Sequence, residues 1–349
     1  MSLSYPSLTS FLCHFFFKLY NNFKKIQAKE IQGGFNLATE KVKILMMRLY
    51  NSFGQHLTKK FGERVQKISV DAGFLCPNKD GTLSSKGCIF CDKYGSGPIK
   101  FAGLPLSEQI EKGIEFAKAR YGANLYIVYF QAHTNTYCSW GRLKEYIDLA
   151  LSYKGVVGIS IGTRPDTLSD EILDGLGTLS KTIYLWLEIG LQSIHDRSLQ
   201  FLNRNHTFSD FETAFKRAKK RKIQICAHVI LGIPGESWND MMETAKYLAH
   251  IEIDGVKIHP LHVLTGTELQ KMYEQHKIEL LEKDKYVKLV VDFLERLHPS
   301  TIIHRITGER EQFLLVAPLW VLKKSEVIMD IEREFQRRGS YQGFYYKKM

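Results

Sequence analysis

The chain has 349 residues and a mass of 40.3 kDa, 44% of them hydrophobic, so it can bury a substantial core and is not an intrinsically disordered chain. Forty-eight Lys and Arg against 37 Asp and Glu give a net charge of +11, which suits polyanionic partners such as RNA and serves solubility equally well. Six cysteines without the dense spacing of a secreted scaffold exclude that class and point to a reducing compartment, so a cytoplasmic protein is expected.

An apolar run around Phe11 to Phe17 is cut short of a membrane span by Lys18, and no stable membrane insertion is expected. A signal-like or surface-bound helix is one reading of it. The other starts translation at Met46 or Met47 and makes residues 1–45 a poorly ordered N-terminal extension. From about Val65, β-branched runs alternate with amphipathic stretches. The candidate strands are "RVQKISVDA", "NLYIVYF", "GVVGISIG", "TIYLWLEIG", "IQICAHVILG" and "GVKIHPLHV". Helical patterns fall at Leu106 to Tyr121, Leu143 to Tyr153, Ser169 to Leu176, His195 to Leu202, Phe208 to Lys222 and Trp238 to Ile251. Right-handed crossovers wind such units into a parallel sheet curved as a partial or complete barrel, with its active face at the carboxyl ends of the strands. The polar clusters "DAGFLC", "FQAHTNTY", "IGTRPD", "EIGLQS", "LGIPGE" and "HPLH" all stand at those ends. After His262 the cadence fades into helix, a short strand "TIIHRITG" and a closing helix. Residues 46–262 read as the core and 263–349 as an α+β C-terminal extension packed on it.

Cys76, Cys88 and Cys91 follow the first strand, eleven and then two residues apart, in a loop rich in Pro, Asn, Asp and Gly that can wrap around a bound group. Thiolates favour zinc or an iron–sulfur cluster. A structural zinc needs four closed ligands, and the nearest candidates for a fourth are the distant His133 and Cys138. A [4Fe-4S] cluster on three thiols keeps one iron open. An open iron can chelate a cofactor directly, as with the amino and carboxylate groups of S-adenosylmethionine.

The loop, with Phe90 before Cys91, resembles the cluster loop of the radical S-adenosylmethionine (radical SAM) superfamily. The wide first gap is similar to that of the uncharacterised YhcC-like subgroup and the related Elp3-like enzymes. "DAGFLCPNKDG", "YFQAHTNTY", "IGTRPD", "LEIGLQSIHD", "LNRNH" and "HVILGIPGE" follow in the same order as in that subgroup. The resemblance implies a partial (β/α)6 TIM-like barrel and a [4Fe-4S] cluster on the three cysteines. It also implies reductive cleavage of S-adenosylmethionine to a 5′-deoxyadenosyl radical that takes hydrogen from a substrate. The catalytic residues and the substrate stay open.

For the cofactor, the resemblance puts Gln192 at the ribose and Arg204, twelve residues later, at the carboxylate, where a planar fork gives paired bonds. His228 stands where related enzymes have an Asp facing the ribose. Ile230 and Gly232 supply the adenine wall, and Gln131, Thr134 and Asn135 take the place of an amino-binding turn. Glu188, on the strand face of Gln192, orients the cofactor or substrate, or neutralises a buried Arg such as Arg164. Gly162 replaces the Glu of an Elp3-like "IETRPD". His259 and His262 line the mouth as substrate contacts or as structure, and Cys138 and Cys226 are candidates for a thiyl relay, against the commoner buried thiol.

An electron donor such as flavodoxin or ferredoxin is implied as a partner. The Elp3-like enzymes act on transfer RNA, and the basic runs "KRAKKRK" at Lys216 to Lys222, "REFQRR" and "YYKKM" offer a phosphate-contacting surface that makes transfer RNA a candidate partner. The rival readings are a zinc-stabilised RNA-binding module and a non-catalytic iron–sulfur protein.

Overall fold

A computed structural model describes residues 49–347. The extension read at residues 1–45, Cys13 and the apolar run near Phe11 lie outside the described residues.

Seven parallel strands form one sheet in the order β1 (Val65–Val70), β2 (Leu125–Phe130), β3 (Val156–Thr163), β4 (Tyr184–Gln192), β5 (Gln224–Leu231), β6 (Gly255–Pro260) and β8 (Ile302–Arg305). The six strands read from the sequence are the first six. The seventh is "TIIHRITG", whose Ile302, Ile303 and Arg305 pair with Gly255, Val256 and Lys257. The C-terminal segment thus extends the sheet as well as packing on it. The strands are apolar almost throughout because both faces are covered, and every residue of β4 is buried.

The intervening helices are α2 (Leu106–Tyr121), α3 (Trp140–Leu151), α4 (Asp170–Leu179), α5 (Asp196–Phe201), α6 (Phe208–Lys220) and α7 (Trp238–His250), following α1 (Phe53–Phe61). Thr207 and Ser237 open α6 and α7 with capping boxes closed by Asp210 and Asp240. At Gly113 a Cβ would lie 2.3 Å from Ile68, so only glycine lets α2 approach β1 this closely. Beyond β6 come the two-residue strand β7 (Val263–Leu264), α8 (Glu268–Glu274), α9 (Lys283–Arg296), β9 (Leu315–Ala317) and α10 (Lys324–Arg338). β7 and β9 pair antiparallel. Among the described residues no helix is long and apolar enough to cross a membrane.

The inner face of the sheet changes character along the strands. At the amino ends Ile127, Trp186, Cys226 and Ile302 form an apolar cluster stoppered by Phe53 and Leu57 of α1. Toward the carboxyl ends Lys67, Tyr129, Ser160, Glu188, His228, Lys257 and His304 replace it with polar groups.

Candidate active site at the carboxyl ends of the strands

A cavity of about 180 Å³ opens above this polar layer. Cys76, Cys88 and Cys91 line it together with Phe90, Gln131, Thr134, Gln192, Arg204, His228 and Ile230. Glu188 lies one layer beneath, fully buried. Gly232 does not reach the wall: its φ is +84°, and a Cβ there would meet Leu281 at 2.6 Å. Asn135 is a structural residue, its Nδ2 donating to the carbonyls of Phe130, Ala132 and Gly162 at 3.0, 3.0 and 2.8 Å. Cys138 and Cys226 are off the cavity, Cys226 wholly buried. His259 and His262 are on it, as is His133.

The loop after β4 holds the thiol loop in place. Asn78 Nδ2 donates to the Asn203 carbonyl at 2.7 Å, Asn205 Nδ2 to Asn78 Oδ1 at 2.6 Å, and the Ile89 N–H to the Leu202 carbonyl at 3.1 Å. Asn203 and Asn205 take left-handed φ values of 52° and 50°, which Asn tolerates better than most residues. Between them Arg204, only 7% exposed, is no surface cap. Its Nη1 donates to Cys88 Sγ at 3.3 Å, its Nη2 to the Gly190 carbonyl at 3.0 Å and its Nε to His206 Nε2 at 3.0 Å. Burial, then Arg204 and Arg164, hold His206 down at about 2, so its ring is neutral and accepts that bond.

On the far side of the thiol loop Asp92, next to Cys91, forms a buried ion pair with Arg310 from the C-terminal segment. Arg310 Nη1 also donates to the Gly97 carbonyl at 3.3 Å. Neither partner stood out in the sequence, because the pair spans 218 positions.

Gln192 sits at a bulge where the β4–β5 register shifts between Gly190 and Gln192, with φ +71°. A long side chain in this conformation is uncommon and bulges re-aim side chains, so the backbone here is held to present Gln192.

Glu188 is the hub of the polar layer. Lys67 Nζ and Ser160 Oγ each donate to its Oε1 at 2.5 Å, while Lys257 Nζ and His228 Nε2 donate to Oε2 at 3.1 and 2.7 Å. Burial pushes its pKa up, but Lys257, Lys67 and the His228 bond together outweigh this and hold it well below the usual carboxylate range. Burial lowers Lys257 to about 8 against the pull of Glu188, as expected when two lysines share one carboxylate. Burial, then Lys257, lowers His228 to about 4, leaving a neutral imidazole. A carboxylate only accepts, so Nε2 of His228 carries the proton and Nδ1 keeps a lone pair. Arg164 is not the partner of Glu188: it pairs with Asp166 through Nε and Nη2 at 2.9 and 2.8 Å. Glu188, Cys226 and His228 could group three ligand atoms within 4.8 Å, but a carboxylate already taken by two lysines is no cation site.

All three cysteines are free thiols that share one wall of the cavity, the arrangement a shared metal or cluster requires. Burial pushes the Cys91 thiol up to about 12, so a metal bound there would displace its proton. Two buried polar atoms of the wall, Thr134 Oγ1 and Arg164 Nη1, have no partner among the described residues. A polar cofactor would satisfy both.

Comparison with known proteins agrees. The Radical SAM superfamily model matches residues 83–248, and the model of the Radical_SAM C-terminal domain matches residues 253–337. The protein YtqA of Bacillus subtilis is 42% identical over 303 residues, 86% of this chain and 94% of that one. The chain belongs to the radical SAM superfamily. It is a radical SAM enzyme, and this family uses a [4Fe-4S] cluster and S-adenosylmethionine. Protein YhcC of Escherichia coli is 32% identical over 295 residues, 84% of this chain and 94% of that one. Elongator complex protein 3 of Schizosaccharomyces pombe is 29% identical over 153 residues, 43% of this chain and 28% of that one. Among solved structures, Elp3 of the archaeon Methanocaldococcus infernus matches with a TM-score of 0.61 at 18% identity, over 80% of this chain and 64% of that one, which supports the fold.

Proposed function

We propose that Cys76, Cys88 and Cys91 hold a [4Fe-4S] cluster with one open iron and that S-adenosylmethionine binds against it. Together the two supply a 5′-deoxyadenosyl radical that removes a hydrogen atom from the substrate. The reading rests on one observation: three free thiols share a cavity wall with Gln192, Arg204 and His228 in a chain of the radical SAM superfamily. Anaerobic reconstitution followed by an assay for 5′-deoxyadenosine tests it. A colourless zinc protein or an iron protein that never cleaves the cofactor would remove it.

The chain's own residues divide the work of holding the cofactor. Arg164 and Thr134 have unpartnered atoms for its amino acid end, whereas Arg204 has three of its five N–H donors engaged within the protein. Arg204 therefore serves the thiol of Cys88 first, and its role at the carboxylate is shared with Arg164. Glu188 fixes His228 as an Nε2–H tautomer, so Nδ1 offers the acceptor that an Asp would give a ribose hydroxyl. Gln192 adds a donor amide and Ile230 with Phe90 an apolar wall.

The reductant is an acidic one-electron donor such as flavodoxin or ferredoxin, for which the exposed Lys86, Lys93 and Lys100 on the thiol loop make a complementary surface. Free cysteines among the described residues fit a cytoplasmic setting.

A second reading has a nucleoside of transfer RNA as the hydrogen donor. It is supported by the relation to Elongator complex protein 3 and by the net charge of +11. Two of the three basic runs do not support it, and the third, "YYKKM", ends outside the described residues. Lys216 to Lys222 close α6 and lead into β5, at the amino ends of the strands and opposite the cavity, with Arg217, Lys219 and Arg221 paired to Asp170, Asp254 and Asp174. Arg333, Arg337 and Arg338 are likewise paired, to Asp330 and Glu334. Binding of transfer RNA that weakens steeply with salt would favour this reading, and salt-insensitive or absent binding would remove it.

A further inference from the structure

A second cavity, of about 660 Å³, lies between the edge strands β1 and β8. It shares Tyr129, Gln131, Lys257, Arg305, Glu309 and Arg310 with the cavity of the cysteines, so the two meet in one floor. That floor is cationic. Arg305, Lys257 and Arg310 face the cysteine cavity, and Glu309 is the single acid among the residues lining it. Arg310 is spent on Asp92. Lys257 uses two of its three donors, on Glu188 and on Tyr129 Oη, each at 3.1 Å. Arg305 meets Glu309 at 3.3 Å, a carboxylate that Lys324 Nζ also holds at 2.8 Å, and among the described residues the other donors of its five-donor fork have no partner.

The histidines around this floor are neutral and add no charge to it. Burial, with Arg305 and Lys257 adding to it, holds His259 well below the ordinary imidazole range, and burial, with Lys67, does the same for His304. His304 lines the second cavity, its side chain is 1% exposed, and neither of its ring nitrogens has a partner among the described residues. Its ring packs on Phe53 and Trp186, with centroids 4.0 and 4.3 Å apart, so the cations of the floor are left to a ligand.

We infer that the floor joining the two cavities is the substrate's recognition site and that it binds an anionic group of the substrate, a carboxylate or a phosphate, between Arg305 and Lys257. This rests on the radical SAM reading, since it places the anion on the side of the cavity away from the thiols. Arg305 is the fork that grips the anion, Lys257 a point charge beside it, and Glu309 a competitor that occupies Arg305 when no substrate is present. The volume of about 660 Å³ suits a ligand of metabolite size or an inserted terminal group.

The test uses full-length, metal-free protein, so that its failure is separate from failure of the cofactor chemistry. Melting is followed with inorganic phosphate, with malonate, and with sodium chloride at matched ionic strength. The site requires saturable stabilisation by phosphate or by malonate beyond the chloride control, and whichever anion acts names the group. In Arg305→Gln the apparent Kd should weaken about tenfold or more. In Glu309→Gln it should tighten severalfold, a gain that misfolding cannot mimic. No stabilisation by either anion, or equal affinity in both variants and the parent chain, would overturn the assignment.

Discussion

Arg204 Nη1 lies 3.3 Å from Cys88 Sγ, and Asn78 Nδ2 approaches the same sulfur at 3.3 Å. Two donors on one thiol tune whatever metal it carries, because hydrogen bonds to cluster sulfurs stabilise the reduced state. Arg204→Gln removes a charge-assisted donor while leaving all three thiols. A hydrogen bond of about 1.4 kcal/mol corresponds to roughly 60 mV for one electron. The reduction potential should therefore fall by an amount on the order of 50 mV, with iron content unchanged, in a redox titration followed by electron paramagnetic resonance. An unshifted potential would remove Arg204 from the cluster's surroundings.

Each of Cys76→Ala, Cys88→Ala and Cys91→Ala should reduce bound iron from about four per chain to a small residue after reconstitution. Cys226→Ala and Cys138→Ala should keep the full complement, since neither side chain lines the cavity. The cost of Cys226→Ala in stability should stay near 1 to 2 kcal/mol, about that of deleting a small buried group. Iron and sulfide analysis beside a denaturant titration reads both outcomes.

Much of this was legible in the sequence because it depends on local rules. Strands buried on both faces read as continuous apolar runs, and the helix starts at Thr207 and Ser237 carry their capping residues three positions ahead of Asp210 and Asp240. Parallel topology then sends every strand end, and so the motifs around Cys76, Gln131, Arg164, Gln192 and His259, to one edge. What was hidden depends on which inward faces meet. Lys67 and Lys257 alternate like ordinary polar strand residues, and nothing local marks them as partners of Glu188, 121 and 69 positions away. Glu188 could be matched to Arg164 on paper because nothing local shows that Asp166, two residues along, wraps back onto that guanidinium. The same blindness made "KRAKKRK" look like a binding surface. Its acidic partners come from α4 and from the turn before β6. The strand "TIIHRITG" was visible, but its place beside β6 was not, as β7 and two helices separate them.

The Glu188 hub should be costly to break from one side. Glu188→Gln leaves Lys67 and Lys257 without a counter-charge in a buried layer, and the loss is expected at about 3 to 5 kcal/mol. Adding Lys257→Met to Glu188→Gln should recover part of it, because one unpaired cation is removed. Chemical denaturation of the three proteins checks the order. Equal stability of Glu188→Gln and the parent chain would show the layer to be indifferent to the carboxylate.

The same residue sets a pH dependence. The folded pKa of Glu188 is depressed below its unfolded value, so its contribution is fully present above about pH 4.5 and is lost as pH falls through the folded pKa. The difference in melting temperature between the parent chain and Glu188→Gln should thus shrink as the pH falls below about 4.5. A difference that grows as pH falls below 4.5 would have the wrong sign for this linkage.

The open iron corner is tested most directly by electron paramagnetic resonance of the anaerobically reconstituted, reduced protein before and after S-adenosylmethionine is added. A cubane signal whose g-values shift on addition is expected, with the shift absent for the sulfonium-free analogue lacking the amino acid end. A signal that saturating S-adenosylmethionine leaves unchanged, or no cubane signal at all, would contradict it.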